Sequence, residues 1–402
     1  MRIYSDKNVY ETALDRIRFL FDEFENVIVG FSGGKDSTVT LQLSLIVAEE
    51  KNRLPLKVLF IDQEAEWKGT IDYVSKIMHD KRVEPLWFQM PMVISNNASS
   101  YDRFSYCWNE EEKDKWIHPK SDISIKVNNY GTDRFHDLFG AIFKKDYEGI
   151  KSCYLAGVRA EEAPKRAVAL THAITYKTIT YGKVLSKKNQ HYTFYPLYDW
   201  SYTDIWKAIH DNKWDYNIIY NELYRHGVKL NEMRISNVHH ETALNSLLLI
   251  QEIEPETWVK VTERINGANT IKHLQKNSYE CPRQLPYMFT DWKEYAIHLA
   301  NNIIQQEEFK ELFLHKVNGT KKLYSDSLII DEYYKALIKT ILSSDWDFTK
   351  FRNWEMTSSV YSYRIFKQGR REASMMNHLR YFTSDMKEEL INYIKEKYEV
   401  NK

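Results

Sequence analysis

The sequence predicts an α/β fold: a doubly wound, mostly parallel sheet followed by a mostly helical C-terminal region. Three observations carry that expectation. The β-branched run Val27-Ile28-Val29 leads through a Gly-Gly turn into a stretch with Val39, Leu43, Ile46 and Val47 on one helical face. Apolar runs then recur at 56–61 and 83–89, a helix-length segment apart, which is the spacing of parallel strands joined by crossovers. Beyond residue 235 strand-like runs give way to aromatic-rich helical periodicity. The expected division is an α/β domain over 1–235 and a helical domain over 236–402.

Composition narrows the class. With 402 residues the chain can bury a large core, and Lys plus Arg equals Asp plus Glu at 56 each. A balanced chain has no global pull toward nucleic acid or membrane. The opening Met1-Arg2-Ile3-Tyr4-Ser5-Asp6 lacks the apolar centre of a signal peptide, and no run reaches the length of a membrane span. Three cysteines in so long a chain fit a reducing compartment. A cytoplasmic protein is expected.

In chain order, residues 10–24 read as a helix with Ala13, Ile17, Leu20 and Phe21 on one face. The next stretch, Phe31-Ser32-Gly33-Gly34-Lys35-Asp36-Ser37-Thr38, joins a strand to a helix. Glycines there let backbone approach a ligand closely, and free N–H groups at a helix start hold anions. Ser32 and Ser37 offer hydroxyls, and Lys35, expected at the solvent-facing mouth, adds a mobile charge. The four-residue spacer of a Walker A loop is missing. An ordinary capped turn is the competing reading of the glycines and serines.

Asp62 ends the second strand, where a carboxylate either serves a ribose or metal or caps the next helix. Residues 96–126 are polar, aromatic and poorly periodic: a lid or substrate loop, or a surface excursion with a solvated charge run. Helical spacing returns at 135–143. A buried strand is expected at Cys153-Tyr154-Leu155-Ala156, ending in Gly157-Val158-Arg159, with Glu161, Glu162 and Arg166 beyond it. An arginine fork suits two phosphate oxygens, although a surface Arg–Glu network is the alternative. In the segment 194–206, Ser201 or Thr203 with Asp204 supplies a helix cap while Trp206 and Ile209 bury, so this part reads as scaffold. Helices are expected at 241–253, 256–265, 292–305, 331–342 and 385–398.

The string Ser32-Gly33-Gly34-Lys35-Asp36-Ser37 resembles the PP-loop of the N-type ATP pyrophosphatases. That superfamily includes the phosphoadenosine phosphosulfate (PAPS) reductases, the ATP sulfurylase small subunit and tRNA-thiolation enzymes. Gly157-x-Arg159-x-x-Glu162-x-x-x-Arg166 resembles the turn that faces the nucleotide in the PAPS reductases, and the 194–206 segment is similar to theirs as well. Met233-Arg234-Ile235 also fits, as a place where an arginine returns toward the site.

The resemblance implies an adenine nucleotide alpha hydrolase-like fold that binds ATP or PAPS with Mg²⁺. By it, Ser32, Gly33, Gly34, Lys35, Asp36, Ser37, Asp62, Gly157 and Arg159 hold the nucleotide, and Lys35, Asp36, Arg159 and Arg166 act on its phosphates. The branch resembled is that of the immunoglobulin-binding regulator A proteins. It implies a ParB-like partner, with nucleic acid reached through that partner, and roles in gene regulation or mobile-element defence. The implied reaction is cleavage or transfer at a phosphate anhydride, ATP to AMP and pyrophosphate; the alternative is a nucleotide sensor without turnover.

Thiol-dependent reduction is not expected. The reductase tail pairs Glu-Cys with Gly, whereas Pro282 follows Glu280-Cys281 here. Three cysteines cannot ligate an iron–sulfur cluster as four do, and no Cys-x-x-Cys exists. His239-His240 match no metal spacing. Arg364, Lys367, Arg370, Arg371 and Arg380 among Tyr361, Tyr363, Phe366 and Tyr381 read as a solvated helix face or a contact for nucleic acid or a partner.

Overall fold

The computed structural model describes residues 6–96, 102, 104–171, 173–235, 244–268, 281–319, 330–343, 345 and 348–357. His239-His240, the basic stretch 361–381 and the expected helix at 385–398 lie outside them. The chain forms two compact units, 1–94 with 106–264, and 95–105 with 265–402.

The first unit holds a six-stranded sheet. Its strands are β1 (Asn26–Gly30), β2 (Leu56–Ile61), β3 (Val83–Phe88), β6 (Ser152–Leu155), β7 (Gly182–Ser186) and β8 (His191–Phe194). Two short strands, β4 (Met92–Ser95) and β5 (Phe104–Cys107), form a separate pair. The order is β3-β2-β1-β6-β8-β7, parallel throughout except for β7, which runs antiparallel to β8. The sheet is therefore mostly parallel, as its sequence predicts. The hairpin β7–β8 carries no clear alternation and was not expected.

Central strands here are buried on both faces, which is why they read as continuous apolar runs. Val27, Val29, Val58 and Phe60 face one core with helices α1 (Val9–Glu23), α2 (Lys35–Glu50), α3 (Lys68–Met78) and α6 (Tyr202–Asp211). Ile28, Leu59 and Phe88 face the other, with Leu138, Ile142 and Phe143 of α4 (Phe135–Asp146). The described part of the 96–126 insertion joins this second core through Cys107, Trp108 and Trp116. It is a cover for the sheet more than a surface excursion, because its indoles have apolar strand residues to bury against.

Side chains cap the starts of α1 and α6, of which the second was expected. Asn8 accepts the N–H of Glu11 at the start of α1, and Ser201 with Asp204 forms a capping box on α6. Short helices α5 (Pro164–Thr171) and α7 (Ile219–Arg225) also belong to this unit.

Two further helices, α8 (Leu244–Ile253) and α9 (Pro255–Arg264), belong to the first unit, although a boundary at 235/236 groups them with the helical region. The reason is polar anchoring. The Glu254 carboxylate accepts the N–H groups of Lys68 and Gly69 at 2.7 and 2.9 Å, capping α3. Arg264 donates to Glu64 beyond β2 at 2.6 Å.

The second unit is helical where described: α10 (Trp292–Ile303), α11 (Glu307–Gly319), α12 (Ile330–Leu342) and α13 (Thr349–Thr357). Its own core gathers Trp292, Leu299, Phe309, Phe313, Leu337 and Ile338. The helices α11 and α13 escaped the sequence reading.

Candidate active site

Strand order reverses between β1 and β6, and in such sheets ligands bind at the carboxyl ends of the strands beside that reversal. The loop after β1 is residues 31–34, and the loop after β6 is residues 156–159. Both line one cavity of about 590 Å³, with Tyr202, Tyr220 and Arg234 on its other walls.

The first loop is held open from behind. Gly33 adopts φ +71°, and a Cβ there would lie 2.9 Å from Thr70 Cγ2, so only glycine fits. Asn217 Nδ2 donates to the Gly33 carbonyl at 3.2 Å, and the Lys35 N–H donates to the Tyr220 hydroxyl at 3.0 Å. Ser37 Oγ donates to the Gly34 carbonyl and stands 3.2 Å from Ser32 Oγ, so both hydroxyls converge. The N–H groups of Asp36 and Ser37, at the first turn of α2, have no acceptor among the described residues. Such N–H groups are the usual anion donors of a helix start.

Four cations line the cavity: Lys35, Arg159, Arg166 and Arg234. Lys35 is only 5% exposed, not at the mouth as its sequence position implies. Its ammonium donates to the Met233 carbonyl at 3.1 Å, lies 3.2 Å from Asp36 Oδ2 and sits 5.4 Å above the Tyr220 ring centroid. Burial lowers its pKa, Arg159 and Arg234 push the same way, and Asp36 opposes them.

Arg159 is buried too. Its Nε pairs with Asp36 and its Nη1 with Glu161 at 2.8 Å, so neither the bare phosphate fork nor the surface network describes it alone. Arg166 pairs with Glu162, whose backbone carbonyl lies 3.5 Å from Arg234 Nη2. Burial lowers the Arg166 pKa, with Arg234 adding to that.

Of the residues expected in the site, Ser32, Gly34, Lys35, Asp36, Ser37, Gly157, Arg159 and Arg166 line this cavity, and Gly33 stands behind it as the turn. Asp62 does not. It is fully buried, accepts from Trp87 Nε1 at 3.1 Å and Gln89 Nε2 at 2.9 Å, and its Oδ1 takes the Glu64 N–H at 2.8 Å. Partners from β3 and the segment just after it draw it inward. Tyr220 and Tyr202 escaped the sequence reading, since their role depends on chain contacts far apart in sequence.

Neither cysteine of the first unit, Cys107 or Cys153, lines the cavity. Cys107 and Cys153 are buried, and burial raises both thiols; Cys281 is raised to about 11, also by burial. None is an activated thiolate. Among the described residues no cluster of three or more His, Cys, Asp or Glu could hold a metal, and no helix is long and apolar enough to cross a membrane.

Strand order, loop and cavity together define a nucleotide-binding α/β domain of the PP-loop kind. The chain belongs to the phosphoadenosine phosphosulfate reductase domain family, which matches residues 26–228; a domain of unknown function (DUF3440) matches 227–352. Uncharacterized protein YbdN of Escherichia coli K12 is 28% identical over 324 residues, 77% of this chain and 78% of that one. Uncharacterized protein MJ0973 of Methanocaldococcus jannaschii is 27% identical over 245 residues, 58% of this chain and 47% of that one. Among solved structures, Candida glabrata FMN adenylyltransferase with FMN and an ATP analogue is 14% identical, with a TM-score of 0.34 over 59% of this chain and 68% of that one. A Candida auris PAPS reductase with phosphate is 15% identical, with a TM-score of 0.31 over 60% and 98%.

Proposed function

We propose that this protein binds ATP or PAPS in the cavity at the β1–β6 reversal and cleaves or transfers at a phosphate anhydride, most simply ATP to AMP and pyrophosphate. One observation carries the reading. The free N–H groups of Asp36 and Ser37 and the paired hydroxyls of Ser32 and Ser37 face the same space as four cations.

In this reading the loop holds the terminal phosphates. Water or an acceptor oxygen attacks the α-phosphorus, the bond to the bridging oxygen breaks, and pyrophosphate leaves with the electron pair. Arg159 and Arg166 sit where charge grows on the leaving group. Positioning and electrostatics suffice, with no covalent nucleophile.

The carboxylates at the cavity are already engaged: Asp36 and Glu161 by Arg159, and Glu162 by Arg166. The protein therefore offers Mg²⁺ no ready site, and the ion enters this reading only as part of the Mg–nucleotide substrate. The partner in this reading is a ParB-like protein, drawn from the sequence resemblance alone. We also keep 1–235 and 236–402 as functional divisions, supported by two family matches that meet at 227–228.

The test is incubation of the full chain with Mg–ATP, followed by chromatography. AMP and pyrophosphate in equal amounts are expected. Calorimetric binding of ATP without either product would assign the protein as a sensor, and no binding of ATP or PAPS would remove the site altogether.

A further inference from the structure

A second cavity lies in the first unit, about 510 Å³, within the range of small-molecule sites. Lys113, Lys120, Lys126 and Lys260 line it, together with Trp116 and His118. Nothing in the proposed reaction uses it.

The four lysines are not equivalent. Lys120 is desolvated, its side chain only 6% exposed; it pairs with Glu110 and lies 4.5 and 5.7 Å from the ring centroids of Trp116 and Trp108. Burying an ammonium is costly unless such partners hold it, so its place is fixed. Lys113, Lys126 and Lys260 are exposed, and among the described residues no carboxylate stands within ion-pair distance of any of them. Glu110 is the one carboxylate in the lining, and Lys120 already engages it. The cavity thus keeps an excess of about three positive charges, in a chain whose net charge is zero.

The indoles at and behind its wall are anchored by hydrogen bonds. Trp116 Nε1 donates to the Asn109 carbonyl at 3.0 Å, and Trp108 Nε1 donates to the Asp62 carbonyl at 2.7 Å. His118 stacks edge-on against Trp108, with Nε2 3.5 Å from Asp62 Oδ1, in ion-pair reach without a hydrogen bond. Burial lowers its pKa, but Asp62, the Pro119 carbonyl and Glu64 together leave it above the ordinary value.

We propose that this cavity is a second anion site, which takes a small molecule bearing phosphate groups. Its concave, nucleotide-sized shape favours such a ligand over the extended track that a nucleic-acid strand needs. Lysines serve phosphates as point charges, and three of them here have no competing carboxylate. The proposal is independent of turnover at the first cavity.

The test is calorimetric titration of the full chain with inorganic pyrophosphate at low salt. Two binding events are expected. Lys113→Gln/Lys126→Gln should lose one of them, or weaken it roughly tenfold or more, with an unchanged melting temperature since both side chains are exposed. Ser32→Ala/Ser37→Ala should lose the other, so failure of the loop reading is seen separately. An isotherm of Lys113→Gln/Lys126→Gln that matches the parent overturns the proposal. So does a short single-stranded oligonucleotide that needs these lysines while pyrophosphate ignores them, since that assigns the surface to nucleic acid. A titration with AMP tells a nucleotide ligand from a preference for free pyrophosphate, and binding of either through these lysines supports the site.

Discussion

Gly157 packs its α-carbon directly against the backbone of Asp36. A Cβ at this position would lie 2.6 Å from the Asp36 carbonyl carbon and oxygen and 2.7 Å from the Ser37 nitrogen. The neighbour is backbone and cannot turn aside, so Gly157→Ala must part the two loops. Overpacking of this kind costs about 1–3 kcal/mol. A lower melting temperature is expected, with ATP affinity reduced roughly tenfold or more on calorimetry. A variant with unaltered affinity would separate the β6 loop from the binding site.

Lys35→Met keeps most of the buried volume while it removes a desolvated ammonium. The Lys35 pKa is lowered, so its charge is a cost to the folded state, and Asp36 keeps Arg159 as partner. Nucleotide binding should be lost while the melting temperature holds or rises. Binding that survives in Lys35→Met would contradict the loop assignment.

Arg159→Lys retains one charge but loses the fork that reaches Asp36 and Glu161 together. Because Arg159 is buried, both properties should move: ATP affinity by roughly tenfold, stability by about 1–3 kcal/mol. A loss of stability alone would place Arg159 in the scaffold.

Glu66 supplies a pH test. Burial, with Asp62 adding to it, pushes its carboxyl well above its ordinary value of 4.5. The folded chain then keeps a proton that the unfolded chain gives up, so this group's contribution is full below 4.5 and is lost as pH rises through the folded pKa. Glu66→Gln should remove that loss. Melting temperatures at about pH 5 and about pH 8 should differ less in the variant than in the parent, with the gain on the alkaline side. Equal differences would mean that Glu66 is ionised in the fold.

Cys281→Ser should leave any ATP cleavage within a few-fold of the parent rate, because burial raises the Cys281 thiol to about 11. A loss of turnover with intact ATP affinity would restore a thiol step.

The phosphate loop was legible because its chemistry is local: a strand, two glycines, hydroxyls and a helix start fall within a dozen residues. The Gly157–Arg159 turn was legible for the same reason, once a strand was read before it. Asp62 was not, because its partners Trp87 and Gln89 come from a neighbouring strand and the segment after it, and a strand-end carboxylate looks the same facing in or out. Tyr220 was invisible, since the Lys35 N–H that it receives lies 185 residues away in sequence. The lysine cavity also escaped, because its charges are spread over residues 113–126 and 260 and meet only through the fold.

Two of the three arginines of the first cavity, Arg159 and Arg166, come with a carboxylate already in place. At these two arginines an incoming phosphate must trade places with Asp36, Glu161 or Glu162. Affinity then measures the difference between two sets of ion pairs and understates how strongly the phosphate itself is held. The displaced Glu161 would also release the Tyr202 N–H at the start of α6, which it accepts at 2.7 Å. Filling the cavity would thus be felt at the helix cap beyond it, a way for the rest of the chain to sense whether nucleotide is present.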